Sequence, residues 1–223
     1  RPGLVPLVAE ENWVPELKGL SLRNVKATSF RANGKKINED FGEMLFTHFG
    51  VSGPIILSMS RDIGEYLFKK QQKVKLQIDL KTALTEEKLD LRLQRDFEKS
   101  TRRQFKNALD DLLPRKLIPV IIELSHIDPD KESNSITREE RKSLGYLLKH
   151  LSLTITATRP IAEAIVTTGG VDVKEVNPKT MESKLVKGLF LAGEILDVDG
   201  YTGGYNLQAA FSTGFVAGKY AAL

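Results

Sequence analysis

The chain has 223 residues, 41% hydrophobic and 28% charged, with 33 Lys and Arg against 29 Asp and Glu, a net charge of +4 and a sequence pI of about 9.1. This is a globular balance with enough chain to bury a core, and so small a basic excess does not specify a nucleic-acid partner. The lack of cysteine excludes disulfides and thiol catalysis, the three histidines His48, His126 and His150 lack metal-site spacing, and no apolar run reaches transmembrane length, so neither a metal nor a membrane is expected and a cytoplasmic location is the default.

The opening stretch, RPGLVPLVAEENWVPELKGLSL, lacks methionine and is already extended and proline-punctuated, so the expectation is that it continues a longer protein. Residues 21–46 alternate as strands do, and Asn33-Gly34 between LRNVKATSF and EMLFTHFG signals a hairpin. VSGPIILSMSRDIGEYLFKK predicts a helix capped by Ser52 or Gly53, with Pro54 in its first turn and Ile55, Ile56, Met59, Ile63 and Leu67 on one face. KVKLQIDL (73–80) alternates again as a half-buried strand. From Thr85 the period lengthens: Leu89, Leu93 and Phe97 recur four apart, FKNALDDLLPRKLIPVIIELSHI and TREERKSLGYLLKHLSL follow as further helices, and Thr137 with Glu140 has capping-box spacing. LTITATRP, EAIVTTGGVDVKEV and KGLFLAG read as strands, and a final helix starts near Asn206. The predicted fold class is α+β. A β-rich, barrel-like domain spans 1–84 and returns over 151–184, a helical subdomain is inserted at 85–150, and a strand-loop-helix occupies 185–223.

Chemistry concentrates near the end, in GLFLAGEILDVDGYTGGYNLQAAFSTGFVAG (188–218). Six glycines beyond the first, with Glu194, Asp197 and Asp199 among them, suit main chain laid against a ligand, because glycine is entropically costly unless positive φ or close approach demands it. The start of the following helix, with Asn206 as a candidate cap, carries partial positive charge that favours a ligand oxygen. Leu207, Phe211 and Phe215 form a stripe on that helix, and Gly214 and Gly218 admit a closely packed neighbour. A tight connection that simply needs glycine is the plainer alternative.

This stretch resembles the C-terminal FAD signature of the bacterial aminoacetone-oxidase/BaiN-like flavoproteins, NAD(P)/FAD-dependent oxidoreductases. MLFTHFGVSGPIILSMSR (44–61) and IVTTGGVDVKEVNPKTMESKLVKGLFLAGE (165–194) resemble two further family segments, and RPGLVPLV matches the point where the family's chain leaves its nucleotide-binding region. The resemblance implies FAD as cofactor, with NAD(P)H a candidate reductant. It places Gly193 and Glu194 near the ribityl and pyrophosphate part of FAD, and Asp199, Gly200, Gly203, Gly204, Tyr205, Asn206 and Leu207 along the isoalloxazine edge, with the helix start facing the flavin N1/C2 oxygen region. Thr168 and Gly169, in TTGG (167–170), either approach the flavin or merely turn between strands. Family members carry a Rossmann half with G-x-G-x-x-G, and no such motif occurs here, so the expectation is a C-terminal fragment whose tail covers a flavin held mainly by the missing half, and which by itself binds FAD weakly or not at all and is inactive. The tail's apolar face would then be left to self-associate.

His48, in THFGVSGP, is the candidate substrate-facing acid or base, since imidazole exchanges protons near neutral pH; a structural histidine beside a capping Ser52 is the alternative. No histidine–acid pair is spaced to make Ser52 a nucleophile. The run KKQQKVK (69–75) reads as a solvated helix end and strand edge. Three functions follow: a flavin oxidoreductase enclosing a small-molecule substrate, an FAD-dependent RNA-modifying enzyme, disfavoured by the balanced charge of the helical block, and a non-catalytic binding module.

Overall fold

Alternation along the chain is carried far enough to close a sheet on itself. The computed structural model describes residues 1–100 and 102–222; Thr101 and Leu223 lie outside the described residues. The strands are β1 (Pro2–Gly3), β2 (Leu7–Ala9), β3 (Ser21–Phe30), β4 (Lys36–Phe46), β5 (Gly50–Ser52), β6 (Val74–Asp79), β7 (Leu151–Thr158) and β8 (Val166–Thr167). The helices are α1 (Pro54–Lys70), α2 (Glu86–Lys99), α3 (Ile118–Ser125), α4 (Arg138–Lys149) and α5 (Tyr205–Ala221). Six strands close an antiparallel barrel in the order β2-β5-β4-β3-β6-β7, with β7 returning to β2. Val74, Leu76 and Ile78 pair with Ile155, Leu153 and Leu151, and all six are fully buried, so the period-two pattern fills the barrel interior with side chains. The hairpin predicted at Asn33-Gly34 joins β3 to β4.

Helix α1 packs along β4 and buries Ile55, Ile56, Met59 and Ile63, with Leu67 partly covered. Ser52 is not its cap: its backbone pairs with Leu45 in the barrel, and Gly53 precedes the helix with no side-chain cap. Ser60, also on α1, accepts a hydrogen bond from Val5 N at 3.0 Å and so ties the N-terminal segment to the helix.

The helical block is inserted between β6 and β7, which nevertheless pair directly. Leu89, Leu93 and Phe97 of α2 belong to the same continuous apolar core as the barrel. The long helix expected over 105–127 is broken into a 3-10 turn (Phe105–Asn107), irregular turns and α3, because Pro114 interrupts the run and Pro119 suits only a first helical turn. Arg141 of α4 grips Asp90 of α2, Nε to Oδ1 at 2.7 Å and Nη2 to Oδ2 at 3.2 Å. The Arg141 hydrogen bonds hold the Asp90 carboxyl below its usual range, so the pair contributes above the unfolded carboxyl pKa of about 3.9 and fades as pH falls through the lower folded value. No helix among the described residues is long and apolar enough to cross a membrane.

The capping box at α4 is complete: Thr137 Oγ1 accepts from Glu140 N at 3.2 Å, and Thr137 N donates to Glu140 Oε2 at 2.7 Å. Thr137→Ala should cost about 1 kcal/mol, which lowers the thermal midpoint by roughly 2–4 °C. Thr137→Ser should melt with the wild type, and an unshifted Ala variant in a calorimetric scan would refute the role of the cap.

Candidate functional site

The chain leaves the barrel twice, and the two passages lie side by side. Pro2 and Gly3 pair with Thr167 and Val166 as an antiparallel ribbon, extended by Thr168 N donating to Arg1 O at 2.8 Å. Past this ribbon, residues 171–222 build a second, smaller apolar cluster from Val176, Met181, Leu191, Leu196 and Ala217. EAIVTTGGVDVKEV is therefore not one strand. Its ladder is confined to β8; it turns at Gly169 and Gly170, makes isolated bridges at Val171 with Leu196 and Val176 with Ser183, and forms a 3-10 turn at Val173–Glu175, where Asp172 accepts from Lys174 N. KGLFLAG is extended but makes only an isolated bridge, Phe190 with Glu182, and so lacks the partner ladder that would make it a regular strand.

The two glycines of TTGG differ: Gly169 takes a positive φ of +94° in open space, and Gly170 serves close approach. Val171 N donates to Ile195 O at 2.8 Å and Asp197 N to Val171 O at 2.9 Å, and a Cβ at Gly170 would stand 2.3 Å from Ile195 O. The turn thus docks against the acidic segment, and Thr167 Oγ1 donates to Glu194 Oε2 at 3.3 Å. Gly193 N donates to Thr213 Oγ1 at 3.0 Å, which in turn donates to Ala209 O, fixing the segment to α5. Within this assembly the Thr168 hydroxyl is buried without a hydrogen-bond partner, an orphan beside the chain crossing.

At the other end of the acidic segment the loop reaches the start of α5. Gly203 and Gly204 both take positive φ, +119° and +87°, and Gly204 precedes the helix with no side chain capping it. Asn206 is not the cap expected from the sequence. Its amide instead brackets Gly200, Oδ1 accepting from Gly200 N at 2.7 Å and Nδ2 donating to Gly200 O at 3.0 Å, so the helix start is left open. Tyr205 and Leu207 are exposed, as are Phe211 and Phe215, and a Cβ at Gly214 or Gly218 would meet nothing within 4 Å. Asp199 is engaged by Arg61 of α1, Nε to Oδ2 at 2.5 Å, and this bond raises the Arg61 pKa above its ordinary value. Ser58 and Thr202 share a hydroxyl hydrogen bond at 2.8 Å.

The structure thus brings Thr167 and Gly170, the neighbours of Thr168 and Gly169, against the Gly193–Glu194 turn and Ile195 at one end of the segment, and carries Asp199, Gly200, Gly203, Gly204, Tyr205, Asn206 and Leu207 at the other. His48 stands apart. It is exposed at the β4–β5 turn, its ring edge-on to Phe49, which also carries the Arg159 guanidinium 4.3 Å from its centroid; Arg159 is paired with Glu163. Among the described residues no hydrogen bond, ion pair or ring contact joins His48 to the glycine loop, and no group of three His, Cys, Asp or Glu is placed to hold a metal. Sequence reasoning overlooked Ser58, Arg61 and Thr213. The available signal was Ser58 and Arg61 at i, i+3 on a helix whose first turn is apolar.

The protein family described as HI0933-like protein barrel and H2TH domain matches residues 1–166. The chain belongs to this family. Its match ends at Val166, within β8, where the chain leaves the barrel. Over 221 residues the chain is 33% identical to a 3-dehydro-bile acid delta(4,6)-reductase of Clostridium scindens, covering 99% of this chain and 53% of that protein. Two proteins named ribosomal RNA dihydrouridine synthase are similarly related: one from Haemophilus influenzae at 34% identity, covering 96% of this chain and 50% of that protein, and one from Escherichia coli at 32%, covering 98% and 51%. The chain therefore spans about half the length of these relatives. The family is the BaiN-like flavoprotein oxidoreductase family that the C-terminal signature resembles, and its barrel and H2TH domain is the closed barrel with the inserted helices seen here.

Gly170→Ala tests the docking of the turn in this HI0933-like chain. The added methyl cannot fit beside Ile195 O, and overpacking of this kind costs about 1–3 kcal/mol. Hydrogen exchange should quicken at Val171 and Asp197 while the barrel strands stay protected; unchanged exchange at both amides would refute the close approach.

Proposed function

We propose that this chain encloses the substrate and completes the FAD site of a flavin-dependent oxidoreductase, together with a dinucleotide-binding Rossmann half of the kind the family carries. The observation that carries the reading is the open start of α5 behind Gly203 and Gly204, where bare main chain meets an uncapped helix N-terminus. A second observation accords with the cofactor: Thr167, Gly193 and Glu194 line one small cleft with Asn206 and Thr213 of α5. When bound, FAD supplies hydride chemistry, with NAD(P)H the reductant. The helix start stabilises negative charge at the ring edge, Gly204 lets main chain approach without side-chain obstruction while Gly203 lies against the Tyr205 ring, and Thr168, Gly169 and the Gly193–Glu194 turn hold the more polar part of the cofactor. The exposed stripe of Leu207, Phe211 and Phe215 is the surface the Rossmann half covers; without it the stripe favours self-association.

The relatives' names point to the substrate chemistry. A delta(4,6)-reductase and a dihydrouridine synthase both reduce an unsaturated ring, which favours delivery of hydride to a carbon–carbon double bond. A ribosomal RNA substrate is the second reading, favoured by the two synthase relatives.

In the full-length protein, titrated FAD should bind and be bleached by NADPH in the absence of oxygen. Gly204→Trp should abolish flavin uptake, since its φ of +87° disfavours any side chain and the indole would occupy the open helix start. Yellow protein from that variant would refute the placement of the ring. Binding of ribosomal RNA whose affinity falls steeply with added salt would select the second reading, and salt-independent or absent binding would reject it.

A further inference from the structure

Three contacts from one helix face converge on the glycine loop. Arg61 reaches Asp199 through both Nε, 2.5 Å from Oδ2, and Nη2, 3.4 Å from Oδ1. Its guanidinium lies 5.9 Å from the centre of the Tyr201 ring. One turn earlier, the Ser58 hydroxyl meets that of Thr202 at 2.8 Å. The Asp199 side chain is only 9% exposed against 35% for Arg61, so its carboxylate is largely shielded from water and the pair should exceed the small value of a fully exposed one. Behind Arg61 a polar chain runs into the barrel wall. Asp62, 3.6 Å from Arg61, accepts from Asn38 Nδ2 of β4 at 3.1 Å, and Asn38 in turn bonds the fully buried Ser29 of β3.

The loop belongs to no strand or helix and is tied to the start of α5 alone among its neighbours in sequence. Its internal tie is the Asn206 bracket on Gly200, which shapes the turn without fixing its position relative to the barrel. We infer that Arg61 is a positioning residue for the flavin-facing loop: with Ser58 it clamps residues 199–202 to α1, so that the barrel sets where Gly203, Gly204 and the start of α5 stand. The inference rests on the flavin reading of that loop. It adds that the barrel sets the cofactor geometry through an ion pair from α1 to Asp199, at the end of the loop that the resemblance puts along the isoalloxazine edge. It also gives Tyr201 a second role, because this side chain forms one wall of a cleft of about 220 Å³ whose other walls include Asn38, Ser58 and Asp62. Loss of the clamp would shift the loop and widen that cleft together.

The test uses the full-length, flavin-loaded protein carrying Arg61→Met, Arg61→Lys, Asp199→Asn, the double Arg61→Met/Asp199→Asn and the reversed pair Arg61→Asp/Asp199→Arg. Arg61→Met and Asp199→Asn should each weaken FAD binding about tenfold, move the flavin absorption bands and quicken hydrogen exchange at residues 199–204. The double variant should be no worse than either single, and Arg61→Lys and the reversed pair should recover part of the affinity. Ser58→Ala, which leaves the ion pair in place, is the milder variant should the others fold poorly; a loss of two- to fivefold is expected. Variants that melt earlier yet keep the wild-type FAD affinity and spectrum would overturn the inference and leave an ion pair of purely structural value. A wild-type protein that takes up no FAD would overturn the flavin reading and the inference with it, an outcome distinguishable because no variant is needed to see it.

Discussion

A six-stranded antiparallel barrel exists only if its terminal strands meet, and here that seam is short. β2 contributes Leu7, Val8 and Ala9 against β7, with a register shift between Val8 and Ala9. Side chain and main chain extend it: Glu10 N donates to Thr154 O at 3.0 Å and Glu11 Oε1 accepts from Thr154 N at 2.7 Å, so a carboxylate stands in for the carbonyl that a longer strand would have offered. Closure leaves no exposed edge for another chain to pair with, and it fixes the distance between the N-terminal segment and the strand that leads to the C-terminal unit. Everything that brings Thr168 beside the entering chain follows from that seam.

The helical insertion depends on the same closure. Because β6 and β7 pair directly, the helices between them must start and finish at neighbouring points on the barrel, and they pay their ordering entropy by extending one apolar core rather than building a second. The C-terminal unit differs. It has its own small cluster, and of its longest helix only Ala217 is buried. Its place is set by polar ties to α1 and by the ribbon at the crossing.

What the sequence disclosed was local chemistry with a fixed spacing. Asn33-Gly34, the Thr137–Glu140 box and the four-residue recurrence of Leu89, Leu93 and Phe97 all act within one turn of chain, and each appears as read. The strands KGLFLAG and most of EAIVTTGGVDVKEV could not be judged that way, because an apolar run becomes a strand only when a partner offers a ladder. Asn206 looked like a helix cap, since its position was right and its amide suits that role, yet Gly200 competed for the same amide with two hydrogen bonds. The glycine segment was legible as main chain in positive φ leading into a helix with no side-chain cap. Arg61 was not, because its partner Asp199 lies 138 positions along the chain and spacing carries no trace of such a pair.

The paired strands at the crossing have a mechanical consequence. A single covalent connection lets one body swivel freely about its bonds, whereas two antiparallel strands joined by hydrogen bonds resist sliding past each other and yield chiefly by flexing or twisting as a unit. Residues 2–3 and 166–167 therefore form a strap rather than a tether. Any swing of the C-terminal unit away from the barrel must carry the Arg1–Thr168 stretch with it, so opening at the glycine loop and movement of the entering chain become one degree of freedom.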